Sequence, residues 1–70
     1  MNKEKWKPRI FDYYYYIYIQ DNKLQITSIS FEDTFFDRQL IENGNCFKTI
    51  QEAGKALELI KKGARNEERV

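Results

Sequence analysis

The stretch from Gly44 to Lys62 constrains the fold most, because helix start, periodicity and stop signals agree there and nowhere else. Thr49 followed three residues later by Glu52 forms the Thr-x-x-Glu capping box of a helix N-terminus. Ala53, Ala56, Leu57, Ile60 and Ala64 recur at the spacing of one helical face, and Ile50 extends that stripe at its start. Lys55, Glu58 and Lys62 fall on the opposite face. Lys61, Lys62 and Arg65 suit the negative end of the helix dipole, and Gly63 reads as a terminator. The pattern predicts a helix over 49–63 and a tail, 64–70, that frays. One amphipathic helix cannot bury its own stripe, so the rest of the chain must supply the surface it lies on.

That surface is legible as a hairpin over 10–31. Ile10 to Gln20 is dense in Tyr and Ile, the composition of a strand, and Leu24 to Phe31 reads as a second strand. Asp21-Asn22 between them tolerates positive φ and suits a tight turn. A two-residue turn pairs Ile19 with Leu24 and Ile17 with Ile26, so these four share the face that receives the helix. Tyr14, Tyr16 and Tyr18 then lie on the other face, across from Ile29, Thr27 and Gln25. A three-residue turn would scramble both faces. The expected architecture is therefore α+β: a small antiparallel β-hairpin or sheet with one C-terminal amphipathic helix packed on one face.

The flanking segments are less regular. Residues 1–9 read as an extended basic arm, because Pro8 disfavours helix through Lys7, with Trp6 pinning the arm to the body. Residues 32–48 read as a loop in which Phe35 and Phe36 cap one end of the core. Within it, Asp37 to Gly44 is a short helix or irregular turn, with a third strand as the alternative. Phe47 anchors the start of the long helix.

Seventy residues make a single domain, and a core of this size rarely supplies more than roughly 3–5 kcal/mol. Chains this small often add a metal, a disulfide or self-association. With no His and one Cys, metal is disfavoured and an internal disulfide cannot form. A homo-oligomer is the expectation that remains. The lone Cys without a secretory signal fits a cytoplasm, and no apolar run is long enough to span a membrane. A net charge of +1 suits neither a DNA mimic nor a general nucleic-acid binder.

The segments Asp37, Gly44-Asn45-Cys46-Phe47-Lys48-Thr49, Glu52-Ala53, Ala56-Leu57 and Ile60-Lys61 resemble the end of many small uncharacterised proteins of phages and prophages. Those proteins close on a Gly-Asn-x-Phe-x-Thr-x-x-Glu-Ala helix, often after a Trp-x-Pro segment and a Tyr- and Ile-rich strand. Here these correspond to Trp6-Lys7-Pro8 and Tyr13 to Ile19. Gln51 and Gly54 depart from the pattern, which usually carries Glu and a charged residue there. The resemblance implies a phage or mobile-element source, and so the cytoplasm of a bacterial host. It implies no activity.

Catalytic chemistry has little to work with. Cys46 has no His partner, so it reads as a buried small hydrophobe at the helix entrance. Gly44, Gly54 and Gly63 form no phosphate loop, and Glu32, Asp33 and Asp37 lack the spacing of a Ca²⁺ loop. No cofactor and no catalytic residue are expected. The tyrosine row carries the functional hint: Tyr14, Tyr16, Tyr18 and Ile29, with Trp6, form a candidate surface for self-association or for a partner. Lys5, Lys7 and Arg9 are candidate contacts for phosphates or an acidic partner. The expected function is a non-enzymatic, phage-derived binding protein that occludes a host or defence-system protein, as an anti-CRISPR does. A nucleotide or nucleic-acid binder, including one that sequesters a nucleotide signal, is the alternative. A structural or regulatory homo-oligomer subunit is the other.

Thr49→Ala removes the acceptor for a first-turn N–H. It is expected to cost about 0.5–2 kcal/mol, read as a lowered denaturation midpoint at unchanged slope.

Overall fold

The computed structural model describes residues 6–68. The fold is α+β. Two antiparallel strands, β1 (Tyr13–Gln20) and β2 (Lys23–Ser30), precede two helices, α1 (Phe35–Glu42) and α2 (Ile50–Glu68). The register pairs Ile19 with Leu24 and Ile17 with Ile26, as a two-residue turn requires. Asp21 and Asn22 both adopt positive φ, 55° and 62°. That backbone twists in the sense of the strands, and Asp and Asn tolerate it better than most side chains.

A two-stranded sheet is marginal alone, and here its β1 edge is extended by another segment. Phe47 and Tyr15 exchange backbone hydrogen bonds of 2.9 Å in both directions. Two residues along, the Asn45 side chain imitates a peptide group. Its Oδ1 accepts from Ile17 N–H and its Nδ2 donates to Ile17 C=O, each at 2.8 Å. The end of α1 delivers Asn45 to this place. Asn45 N–H donates to Leu40 C=O and Gly44 N–H to Ile41 C=O, with Gly44 at φ 74°. This is a Schellman closure, and its left-handed position is why glycine follows Asn43.

The long helix starts at the expected cap: Glu52 N–H donates to Thr49 Oγ1 at 3.1 Å. The reciprocal bond goes to the neighbouring amide, with Lys48 N–H donating to Glu52 Oε1 at 3.2 Å. The expected stop differs. Gly63 is not in the left-handed region, and the helix runs on to Glu68. A helical glycine costs about 1 kcal/mol against alanine but does not reverse the chain, and the residues after it are mostly good helix formers.

The helix packs against both strands, on the side of Ile17, Ile19 and Leu24. Among the described side chains the buried apolar residues are few: Pro8, Tyr14, Phe31 and Ala53. Ala56 and Leu57 are half-buried, whereas Ile50 and Ile60 are exposed, contrary to a fully buried stripe. Two strands spaced roughly 5 Å apart form a narrow platform. It covers only the part of a 19-residue helix that lies over it. Ala64, Arg65 and the tail side chains fall outside the described side chains. Phe35 is exposed rather than closing the core, and Phe36 is packed against one tyrosine instead.

Asn45→Ala leaves Ile17 N–H and C=O without partners. The expected loss is about 1–3 kcal/mol. Hydrogen exchange at the Ile17 amide is expected to accelerate more than at Tyr16, whose N–H lies in the β1–β2 ladder.

Candidate functional site

The polar centre of the molecule is a single carboxylate. Thr34 is the N-cap of α1: its Oγ1 accepts from Asp37 N–H at 3.1 Å and donates to Asp37 Oδ2 at 3.0 Å. The same oxygen accepts from Thr34 N–H at 3.0 Å and Glu32 N–H at 2.9 Å. Asp37 Oδ1 accepts the hydroxyl of Tyr14. Both residues are buried, Tyr14 at 0 % and Asp37 at 1 % exposure. Burial pushes the Asp37 carboxyl up. The bonds from Tyr14, Thr34 and Glu32 outweigh it and bring the carboxyl down to about 2. Burial and the adjacent carboxylate raise the Tyr14 phenol above its ordinary value. An exposed Arg38–Asp33 pair, 2.9 Å and 3.1 Å, flanks the helix start.

This arrangement corrects the reading of the tyrosine row. Tyr14 is covered and its hydroxyl is used internally, so it offers no binding surface. Tyr16 is half-buried and meets the edge of Phe36 at 5.4 Å between centroids. Its ring lies 6.1 Å from that of Tyr18, also half-buried. Ile29 is half-buried opposite Tyr14. The face expected to stand open is therefore partly roofed by α1. Trp6 is half-buried and lines a cavity of about 330 Å³ with Ile41, Cys46 and Glu52. Lys7 lines the same cavity and is exposed, as is Arg9, whose N–H donates to Asp12 Oδ2. Lys5 lies outside the described residues.

The open apolar surface lies on the other face. Ile17, Ile19 and Leu24 from the hairpin and Ala56, Leu59 and Ile60 from α2 line a groove of about 460 Å³. Ile19 is 70 % exposed, Leu59 69 % and Ile60 47 %. Its polar lining is sparse, with Asn43 and Asn45 at one end and Tyr18 at the hairpin side. Strand alternation and helical spacing place Ile17, Ile19, Leu24 and Ile60 in the core, whereas in the structure they line this groove. The missed signal is Leu59, an apolar residue one step off the helical stripe, next to Ile60.

Cys46 is half-buried, and burial, reinforced by Asp37, raises its thiol to about 11. At neutral pH it is a thiol and a poor nucleophile. Among the described residues, no cluster of His, Cys, Asp or Glu could hold a metal ion, and no helix is long and apolar enough to cross a membrane.

The Tyr14–Asp37 pair sets a pH window. Asp37 is held below the ordinary carboxylate value of 3.8, so its contribution, roughly 2 kcal/mol, is present above pH 4 and lost as pH falls toward 2. Tyr14 is held above the ordinary phenol value of 10.0, so its contribution is present below pH 10 and lost progressively above it. Tyr14→Phe is expected to cost about 1.5–3 kcal/mol and to move the acid limb of the stability profile to higher pH. Denaturation midpoints measured from pH 2 to 11 check both. No protein-family model matches the chain, and no curated protein or solved structure matches it.

Proposed function

We propose that the chain is a non-enzymatic binding protein that receives an apolar segment of a protein partner in the groove between the hairpin and α2. The observation that carries this reading is the exposure of Ile19, Leu59 and Ile60 around one groove in a chain with so little buried apolar surface. A contiguous apolar surface with a sparse polar rim is the composition of an interface. The tyrosine face supports the reading less well, because Tyr14 is committed to Asp37 and Tyr16 to Phe36. The same two commitments weigh against a base-stacking platform, which needs free ring faces.

The resemblance of Gly44 to Ala53 to phage and prophage proteins supports a mobile-element source. It makes a host or defence-system component the favoured partner. Occlusion of such a component, the anti-defence mode of action, needs a surface and no catalytic group. The step from binding surface to anti-defence role rests on that resemblance alone.

Leu59→Glu places a charge in the groove at an exposed position, so the fold is expected to persist within about 0.5 kcal/mol. A bacterium carrying a defence system is challenged with phage while expressing either chain. Wild type is expected to restore plaques and Leu59→Glu to lose that effect at equal expression and equal circular dichroism. Equal restoration by both would remove the groove from the mechanism. Absence of restoration by wild type across defence types would remove the anti-defence reading.

A further inference from the structure

The free edge of β2 is unlike the edge of β1. Strand alternation turns the N–H and C=O groups of Lys23, Gln25, Thr27 and Ile29 toward β1, where they face Gln20, Tyr18, Tyr16 and Tyr14. Leu24, Ile26, Ser28 and Ser30 turn theirs outward, and among the described residues no backbone segment pairs with them. This edge is eight residues long, has no proline, and carries one charged side chain, Lys23, at its end. Natural edges are usually guarded by charge, proline, a bulge or a cover.

We infer that β2 is the contact of a homodimer, in which two copies join their β2 edges antiparallel across a twofold axis at Thr27. Outward groups must meet outward groups, so a symmetric pairing centres on one residue. An axis at Thr27 engages all four outward residues, Leu24 with Ser30 and Ile26 with Ser28 of the second copy. It forms on the order of eight backbone hydrogen bonds. An axis at Ile26 would leave Ser30 without a strand partner.

The side chains favour this register and a second copy as occupant. On the α2 face each large apolar residue, Leu24 or Ile26, lies opposite a small hydroxyl residue of the other chain. On the tyrosine face Ile29 lies opposite Gln25 and Thr27 opposite itself. Lys23, the strand's sole charge, comes beside Glu32 of the second copy, which is exposed just beyond the strand. The product is a sheet of four β-strands, each outer edge extended by an Asn45–Phe47 segment, with both α2 helices on one face. Of the residues that line the groove, this pairing engages Leu24 alone, through its backbone at the strand edge.

Sedimentation of the full chain across concentration tests the inference. Wild type is expected to be a dimer. Ser28→Pro removes an outward N–H that β1 does not use, and proline is tolerated at such edge positions. Ser28→Lys puts a charge there without altering the backbone. Each is expected to raise the dimer dissociation constant at least about tenfold with unchanged circular dichroism. In a Cys46→Ser background, Thr27→Cys is expected to form an intermolecular disulfide on mild oxidation, since facing residues of a non-hydrogen-bonded pair come closest. Lys23→Cys is expected not to. A monomeric wild type would overturn the inference, including one that adds a foreign strand at this edge. So would a dimer indifferent to both Ser28 variants, or a crosslink no faster at Thr27 than at Lys23. Leu59→Glu separates the two surfaces: it is expected to leave the dimer intact, and dissociation by it would assign the dimer to the groove and overturn the β2 axis.

Discussion

The carboxylate of Asp37 is where the parts of this molecule meet. It accepts hydrogen bonds from β1 through Tyr14, from the chain leaving β2 through Glu32 and Thr34, and from the cap of its own helix through the Thr34 hydroxyl. A buried carboxylate is costly unless its lone pairs are filled. Four donors make burial tolerable and also make it directional, because α1 can sit in one orientation only. From that orientation the rest follows. Phe36 reaches Tyr16, the Schellman closure ends α1 at the right place, and Asn45 is presented to the edge of β1. A core whose buried apolar residues, among the described side chains, are Pro8, Tyr14, Phe31 and Ala53 has little dispersion to spare. Polar bonds of defined geometry therefore specify its assembly.

The same scarcity explains where the molecule is open. The strands are short and few, so α2 rests on a narrow base and leaves Leu59 and Ile60 beside Ile19 in water. One edge of the sheet is closed by Asn45 and Phe47 and the other by nothing among the described residues. The groove and the β2 edge meet at Leu24 and otherwise use different residues and different chemistry. The groove offers apolar area without direction, whereas the edge offers hydrogen bonds whose register is set by alternation. A chain this small gains from covering either, and the two can be occupied together.

The hairpin register and the helix start were legible in the sequence because each depends on neighbours along the chain. Asp21-Asn22 selects a two-residue turn, the turn dictates that Ile19 faces Leu24, and Thr49 with Glu52 marks the helix start whatever lies around it. The α+β class follows from those local facts and the need to cover a helical stripe. Which tyrosine is buried was decided elsewhere. Tyr14 and Asp37 are 23 residues apart, and Ile17 and Asn45 are 28 apart. Nothing local in either segment announces its partner. Asp37 looks like a helix N-cap by itself, but Thr34 is the cap and Asp37 is the third residue of α1, and its second oxygen is spoken for only when β1 is alongside. The α2 stripe shows the converse: periodicity determined which residues share a face, while the width of the hairpin decided that Ala53 is buried and Ile60 is not. Pattern along the chain sets which groups can be brought together; the bulk and position of other elements settle which are enclosed.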